Sequence, residues 1–251
     1  GRPGPVLIDL PKDVQFAEGE YLSPDNVTHR HYNPQREGAD VAIEQAVELI
    51  ANAKKPIFYI GGGCINSGPR ACELVTELVK MTGYPATTTI MGLGAFPASS
   101  PQWLGMLGMH GTYESNLAMY DCDVMVAIGA RFDDRVTGRT DAFSPNSKKI
   151  HIDIDPSSIN KNIQVDVPII GDVENVVEDM LEKYKARNVQ PNAKALEAWW
   201  NQIEEWRAVD CLKFEQTFGA KDDIKPQYAI KRLYELTKDR DPYVTTEVGQ
   251  H

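Results

Sequence analysis

Hydrophobic and polar positions between residues 40 and 187 follow a helical period and a strand period in turn. The first helical stretch carries Val41, Ile43, Ala46, Val47 and Ile50, and the apolar run Pro56–Ile60 follows it. The pattern continues with helices at 69–79, 113–120 and 173–181, and with strands at 86–90, 124–128, 149–154 and 167–170. Strands that are apolar throughout and separated by helices are typical of a parallel sheet covered on both faces. The predicted fold class is α/β, a doubly wound parallel sheet with helices on both faces.

The flanking segments have different patterns. Residues 11–39 contain Pro11, Pro24, Pro34 and Gly38 among polar positions, which indicates a connecting segment. Beyond residue 190, two apolar stripes at helical spacing predict helices around 195–206 and 228–236. Aromatic stripes of this kind are more typical of packing surfaces than of cofactor sites, and we expect them to dock against neighbouring domains.

The ends of the sequence are those expected of an internal part of a longer protein. There is no initiator Met, and the strand-like run Tyr243–Thr246 is followed by residues 247–251 without a helix to cover it. We therefore expect a first domain to end at 1–14, a linker at 15–39, a central domain at 40–187, a helical linker at 188–241 and the first strand of a further domain at 242–251.

Composition excludes several classes of protein. The 251 residues are 42% hydrophobic and 25% charged, as in ordinary globular proteins, and the formal net charge of -10 argues against a nucleic-acid partner. No apolar run of about 18 residues predicts a membrane span. The cysteines have no C-x-x-C or zinc spacing, so reduced thiols are favoured over disulfides or a metal site at Cys64, Cys72, Cys122 and Cys211.

A glycine-rich turn follows the strand at 57–60. Gly61, Gly62 and Gly63 begin the run GGGCINSG, which precedes a helix, and this is the context of a turn that binds phosphate through backbone N–H groups. The pattern has Asn66 in place of the third glycine of a dinucleotide fingerprint and lacks the lysine of a P-loop. A plain tight turn is an equally good interpretation.

Glycine and methionine are concentrated in two loops after the strand at 86–90. The loops are 91–97 (MGLGAFP) and 105–112 (GMLGMHGT). Glycine lets a flat ring approach the backbone and methionine forms an adaptable apolar wall, so these loops favour a ring-shaped ligand over an ordinary surface loop. His110 is equally compatible with a capping or hydrogen-bonding role.

Carboxylates stand at the ends of predicted strands. Asp153 and Asp155 follow one strand and Asp172 follows the next, where a carboxylate commonly binds the hydroxyls of a ribose or a linear sugar alcohol. Each is also an ordinary N-cap or turn residue when considered alone. Polar residues at the ends of three neighbouring strands favour a dinucleotide-sized ligand.

The segment 131–139 carries three arginines and two aspartates in nine residues. One interpretation is a loop of self-neutralising ion pairs. The other gives Arg135 a bidentate contact with a small carboxylate or phosphate.

The chain shows no Ser-His-Asp order, no H-E-x-x-H and no carboxylate pair in an apolar setting, so the residues alone predict a nucleotide-binding α/β domain without naming a reaction.

Six stretches resemble, in the same order, the large catalytic subunits of acetohydroxyacid synthases, also called acetolactate synthases. They are 2–14 (RPGPVLIDLPKDV), 91–94 (MGLG), 108–112 (GMHGT), 131–138 (RFDDRVTG), 151–155 (HIDID) and 248–251 (VGQH). RFDDRVTG together with GMHGT is specific to this family, whereas the GGG turn and RPGPV are shared with other thiamine enzymes.

The resemblance implies an FAD site in the central domain, a thiamine-pyrimidine-binding domain before it and a diphosphate-binding domain after it. It also implies the condensation of pyruvate with pyruvate or 2-oxobutanoate, with loss of CO2, in branched-chain amino acid synthesis, and a flavin with no net part in that reaction. The implied FAD residues are Arg2, Gly61, Gly62, Gly63, Thr89, Ile90, Met109, His110, Gly111, Thr112, Gly129, Arg131, Asp153, Ile154, Gly171 and Asp172.

The resemblance places Asp134 and Arg135 at the carboxylate of the second 2-oxo acid, next to the herbicide site of the family. Gly249, Gln250 and His251 would begin the thiamine diphosphate surface. The family's activating glutamate and its Mg²⁺-binding G-D-G…N motif are not in this sequence, so we expect the 251-residue chain alone to bind FAD weakly and not to turn over.

The resemblance further implies homo-oligomeric catalytic subunits, a small regulatory subunit, and a cytoplasmic location in bacteria or a plastid or mitochondrial one in eukaryotes. Two other hypotheses are compatible with the residues. One is the central domain of another thiamine enzyme, such as a pyruvate oxidase or decarboxylase, and the other is a nucleotide-binding regulatory module without catalysis.

Overall fold

The computed structural model describes residues 4–26, 34–188, 191–219 and 223–245. Its internal contacts divide the chain into two compact units, Gly1–Val209 and Asp210–His251. The predicted sheet lies in the first unit.

A six-stranded parallel sheet forms the centre of the first unit. The strands are β1 Pro56–Ile60, β2 Ala86–Thr88, β3 Trp103–Met106, β4 Val124–Ile128, β5 Lys148–Asp153 and β6 Val167–Ile170. Their order is β3-β2-β1-β4-β5-β6, and each neighbouring pair is parallel. The order reverses between β1 and β4, as it does in dinucleotide-binding α/β folds.

The helices of the first unit connect and flank these strands. They are α1 Lys12–Phe16, α2 Asp40–Asn52, α3 Gly62–Ser67, α4 Pro69–Thr82, α5 Tyr113–Asp121, α6 Asp134–Thr137, α7 Val173–Ala186 and α8 Ala193–Arg207. Short 3-10 helices occupy Pro24–Asn26, Ile90–Gly92, Thr140–Ala142 and Pro156–Ser158. In the described residues, no helix has the length and apolar character required to cross a membrane.

Alternate residues of each central strand face two separate cores. Phe58 and Ile60 of β1 pack with α2, α4 and α7, whereas Ile57 and Tyr59 pack with α5 and α8. A sheet with apolar side chains on both faces needs helices on both faces to exclude water. The predicted doubly wound α/β class is therefore confirmed.

Helix α8 covers the second face of the sheet. The Trp199 side chain is only 1% exposed, and its Nε1–H donates to the carbonyl of Pro56 at 3.0 Å. Ile203 is fully buried one turn later. The expected linker at 188–241 thus begins with a helix that belongs to the packed unit, while the other domain bounds stay predictions.

Two predicted segments differ in the structure. The segment that carries the predicted loops 91–97 and 105–112 also contains β3, which pairs with β2 from Ala86↔Trp103 to Thr88↔Met106 across a register shift. Gly105 has a φ of +93° inside this strand, and a short edge strand interrupted by glycine has little period-2 signal. Residues 241–245 have no regular secondary structure, so the strand expected at 243–246 is not formed over its described part.

The second unit contains one long helix among its described residues, α9 Pro226–Thr237. Its apolar side chains Ile230, Leu233, Tyr234 and Leu236 are exposed. Phe218 and Tyr228 meet edge to face, with their ring centroids 5.1 Å apart.

Candidate functional site

The carboxyl ends of the strands are joined into one continuous edge by backbone hydrogen bonds. Thr89 N–H donates to the carbonyl of Ile60 at 2.9 Å, and Gly61 N–H donates to that of Ile128 at 2.8 Å. Further along, the N–H groups of Gly129 and Gly171 donate to the carbonyls of the β5 residues Ile152 and Asp153, at 2.8 and 3.1 Å. The structure therefore brings predicted site residues from β1, β2, β4, β5 and β6 to the edge where open α/β sheets bind ligands.

The glycine turn after β1 packs directly against the end of β4. A Cβ atom on Gly61 would lie 2.2 Å from the carbonyl oxygen of Gly129, and one on Gly63 would lie 2.5 Å from the Cα of Gly129. Gly63 N–H also donates to the carbonyl of Gly129 at 2.9 Å. These contacts favour the tight-turn interpretation, since the N–H groups of Gly61 and Gly63 already have partners within the protein.

The loops after β2 and β3 present apolar side chains at the same edge. Thr89 caps the 3-10 helix by accepting a hydrogen bond from Gly92 N–H at 3.0 Å, and it leaves Ile90 and Met91 exposed. Met109 and His110 are exposed on the loop after β3. Exposed apolar side chains that cluster on one edge are typical of a surface that a ligand or another protein segment covers.

Gly111 and Thr112 have structural roles beside this surface. The Thr112 hydroxyl donates to the carbonyl of Leu104 at 2.5 Å and accepts from Ser115 N–H, which caps α5. A Cβ on Gly111 would lie 2.5 Å from the carbonyl oxygen of Met106. Both residues shape the loop by contacts inside the protein.

The predicted carboxylates also have partners within the chain. Asp153 is buried, its Oδ1 accepts from Asp155 N–H at 2.9 Å, and its Oδ2 is 3.8 Å from His151 Nε2. Asp172 caps α7 by accepting from Glu174 N–H at 3.1 Å, and it also accepts the hydroxyl of Ser67. The N-cap and turn interpretation therefore applies to Asp172 and Asp155, and Ile154 lies half-buried between the two strand-end carboxylates.

The segment 131–139 divides its arginines between two roles. Arg131 pairs with Asp133 at 2.8 Å, and Arg139 pairs with Asp141 at 2.6 Å. Arg135 is the second residue of the single-turn helix α6, where its guanidinium lies 3.7 Å from the Asp134 carboxylate and its side chain is 70% exposed. The ion-pair interpretation fits Arg131 and Arg139, whereas the guanidinium of Arg135 is accessible to a ligand.

Phe132 anchors this charged segment in the core. Its backbone has a φ of +54°, its side chain is 1% exposed, and its ring lies 5.5 Å from that of Tyr59 and 5.0 Å from that of His151. Asn162 Nδ2 donates to its carbonyl at 3.0 Å. Sequence reasoning missed this anchor, although one phenylalanine in a run of charged residues is a usable signal for a buried position.

The thiols of the first unit are poor nucleophiles. Burial raises the pKa of the Cys64 thiol, and burial raises the pKa of the Cys122 thiol to about 11.

Within the described residues, no group of three or more His, Cys, Asp and Glu side chains has an arrangement that could hold a metal ion. The predicted positions Arg2, Gly249, Gln250 and His251 lie outside the described residues.

Comparison with known proteins identifies the central region. The model of the family "Thiamine pyrophosphate enzyme, central domain" matches residues 43–180. The chain is 46% identical over 253 residues to the acetolactate synthase isozyme 3 large subunit of Escherichia coli, and it covers 43% of that protein. It is 43% identical to the acetolactate synthase large subunit of Haemophilus influenzae and to the probable acetolactate synthase large subunit of Methanocaldococcus jannaschii, covering 43% and 42% of their lengths.

All of this chain aligns with each of those relatives, and it spans less than half of their length. The relatives confirm the resemblance that the motifs predict. Since the matched residues 43–180 make up more than half of the 251-residue chain, the chain belongs to the thiamine pyrophosphate enzyme family and contains the central domain of that family.

Proposed function

We propose that this chain is the central part of an acetolactate synthase catalytic subunit. The full-length protein would condense pyruvate with a second 2-oxo acid, either pyruvate or 2-oxobutanoate, and release CO2. The observation that carries the proposal is the accessible guanidinium of Arg135, held in a motif specific to this family beside the strand edge. The identity of 46% to an acetolactate synthase large subunit over the whole chain supports the same reaction.

The edge of the sheet has features that fit FAD. The strand order reverses between β1 and β4, and dinucleotides bind at such a reversal in α/β sheets. Ile90 and Met109 offer exposed apolar surface to a flat ring, and Arg131 is half exposed beside it. We propose that these three residues would contact the flavin directly, while Gly61, Gly63 and Gly129 would shape this edge by their close packing.

Arg135 would bind the carboxylate of the second 2-oxo acid. A guanidinium offers two parallel N–H donors that match a carboxylate, and this pairing fixes the orientation of the acid as well as its position. Asp134, at 3.7 Å, would limit the directions available to that guanidinium. When bound, thiamine diphosphate and its Mg²⁺ supply the carbon nucleophile and the electron sink that decarboxylation requires.

The test replaces Arg135 by Lys in the full-length protein and measures acetolactate formation from pyruvate, alone and in competition with 2-oxobutanoate. Lysine keeps the charge but loses the bidentate geometry. We expect the KM for the second 2-oxo acid to rise about tenfold or more, and the preference between the two acids to change.

Arg139→Lys is the matched control, because Arg139 is equally exposed but is tied to Asp141 at 2.6 Å. We expect its kinetics to stay close to those of the unchanged protein. An unchanged KM and preference in Arg135→Lys would reject the role of Arg135. A flavin that is reduced during turnover would instead indicate an enzyme of the pyruvate oxidase type.

A further inference from the structure

The side-chain amide of Asn116 makes two hydrogen bonds to the backbone of Gly108. Asn116 Oδ1 accepts a hydrogen bond from Gly108 N–H at 2.8 Å, and Asn116 Nδ2 donates to the Gly108 carbonyl at 2.9 Å. Helical side chains lean toward the amino end of their helix, so Asn116 on the second turn of α5 reaches back to the loop that precedes it. The amide therefore acts on Gly108 as the backbone of a neighbouring strand would.

The loop held by Asn116 is in contact with the start of α6. Met109 N–H donates to the carbonyl of Arg135 at 2.8 Å. Gly108 has a φ of +90°, and a Cβ atom there would lie 2.5 Å from the same carbonyl oxygen. The backbone of Arg135 therefore rests on Gly108 and Met109.

From these contacts we infer that Asn116 is a positioning residue that sets the place of Arg135 through Gly108 and Met109. The inference rests on the proposed role of Arg135 as the carboxylate-binding residue. The hydrogen bonds fit the residue type, because a side-chain amide carries an acceptor for the N–H and a separate donor for the carbonyl of one residue. The substitution Asn116→Asp would keep the acceptor and lose the donor.

A purely structural role for Asn116 has a different consequence. If the amide only satisfied the polar groups of the loop, its removal would lower stability without a specific effect on the second 2-oxo acid. If it positions Arg135, its removal affects the KM for that acid, and the effect depends on the presence of the arginine. Residues that act through one another give non-additive effects in a double-mutant cycle.

The experiment compares Asn116→Ala, Arg135→Lys and the double variant in the full-length protein, with FAD at saturation. Acetolactate formation gives kcat and the KM for the second 2-oxo acid. We expect Asn116→Ala to raise that KM about five- to tenfold with a smaller change in kcat, at the lower end of the roughly 5- to 150-fold range for losing both hydrogen bonds. In the Arg135→Lys background the same change should raise the KM less than about twofold. Equal effects in both backgrounds would overturn the inference.

Gln102→Ala is the matched control. The Gln102 amide also braces backbone carbonyls, those of Val79 and Tyr84 at 2.8 Å each, but it precedes β3 at the amino edge of the sheet. We expect this variant to lose stability and keep its KM. Asn116→Asp replaces Asn116→Ala in the cycle if the alanine variant does not fold.

Hydrogen exchange of the same proteins separates the inference from the proposed function. We expect Asn116→Ala, and not Gln102→Ala, to speed exchange in peptides 105–112 and 133–138 together. Faster exchange confined to 105–112 would overturn the positioning role, whether or not the enzyme is active. Absence of acetolactate formation by the unchanged full-length protein would reject the proposed function, and the exchange data would then decide the positioning role alone.

Discussion

Replacing Gly61 by Ala tests the packing at the point where the strand order reverses. The added Cβ would meet three backbone atoms just after the neighbouring strand β4. It would lie 2.2 Å from the carbonyl oxygen of Gly129, 2.7 Å from its carbonyl carbon and 2.7 Å from the Cα of Ala130. Backbone atoms cannot rotate away as the end of a flexible side chain can. The two strand ends must therefore move apart by roughly 1 Å or more to reach ordinary van der Waals separation, at about 3.5–4.0 Å between carbon atoms.

The expected cost follows from the contacts that this movement breaks. Gly61 N–H to Ile128 and Gly63 N–H to Gly129 are hydrogen bonds of 2.8 and 2.9 Å, and each contributes about 0.5–1.5 kcal/mol. Forcing extra volume into a packed site costs about 1–3 kcal/mol more. We expect Gly61→Ala to lower the free energy of unfolding by about 2–6 kcal/mol.

Urea unfolding, followed by tryptophan fluorescence, measures this loss, because the buried Trp199 contributes to the signal. Gly19→Ala is the control, because a Cβ at Gly19 has no neighbouring atom within 4 Å, and we expect a change within about 0.5 kcal/mol. Gly62→Ala should be less costly than Gly61→Ala, since its nearest contact, the Cβ of Met91, is at 2.9 Å instead of 2.2 Å. A Gly61→Ala protein as stable as the Gly19→Ala control would refute the close backbone contact between Gly61 and Gly129.

Three further predictions address the core, the thiols and the dependence of stability on pH in acid. Trp199→Ala should lower the free energy of unfolding in urea by about 3–5 kcal/mol, because it empties a buried site on the sheet, and a loss below about 1 kcal/mol would show that α8 is not docked. Burial raises the pKa of the Cys122 thiol to about 11. A disulfide reagent at about pH 8 should therefore modify the exposed Cys211 quickly and Cys122 only after unfolding. Rapid modification of Cys122 in the folded protein would contradict its burial. The pKa of the Glu44 carboxyl is lowered in the folded protein, chiefly by the hydrogen bond from Lys183. The pair therefore stabilises the fold above the pKa of a glutamate in the unfolded chain, about 4.3. This contribution is lost as the pH falls through the lower pKa of the folded state. Glu44→Gln should make urea midpoints less dependent on pH below about 5, and an unchanged dependence would exclude the pair as a contributor.

The elements that the sequence predicted are those whose own residues carry the signal. β1 and β4 are apolar at every position because both faces of the sheet are covered, and α7 has an apolar stripe that faces one core. β3 and α6 were missed because their formation depends on other segments. β3 is a short edge strand that needs β2 as its partner, and α6 is a single turn that follows the buried anchor Phe132.

For the candidate site, the residues alone predicted which loops meet at the strand edge, because parallel strands place all their carboxyl ends on one side. The family motifs then led to the proposals of a flavin and of a carboxylate-binding arginine. The sequence and the motifs singled out Arg135, but neither source distinguished which arginines of segment 131–139 form close ion pairs, since a charge in a sequence has no defined partner. The distances of 2.8, 3.7 and 2.6 Å made that distinction.

The sequence by itself determined the fold class, the family and the edge of the sheet at which the predicted site residues meet, because periodicity and motifs are local properties of the chain. Only the tertiary structure decided what each residue does there. Gly61 and Gly129 allow two backbones to touch, Asp172 caps a helix, and Asn116 holds the loop on which Arg135 rests. Those roles depend on distances between residues far apart in the chain, which folding fixes and a linear pattern does not contain.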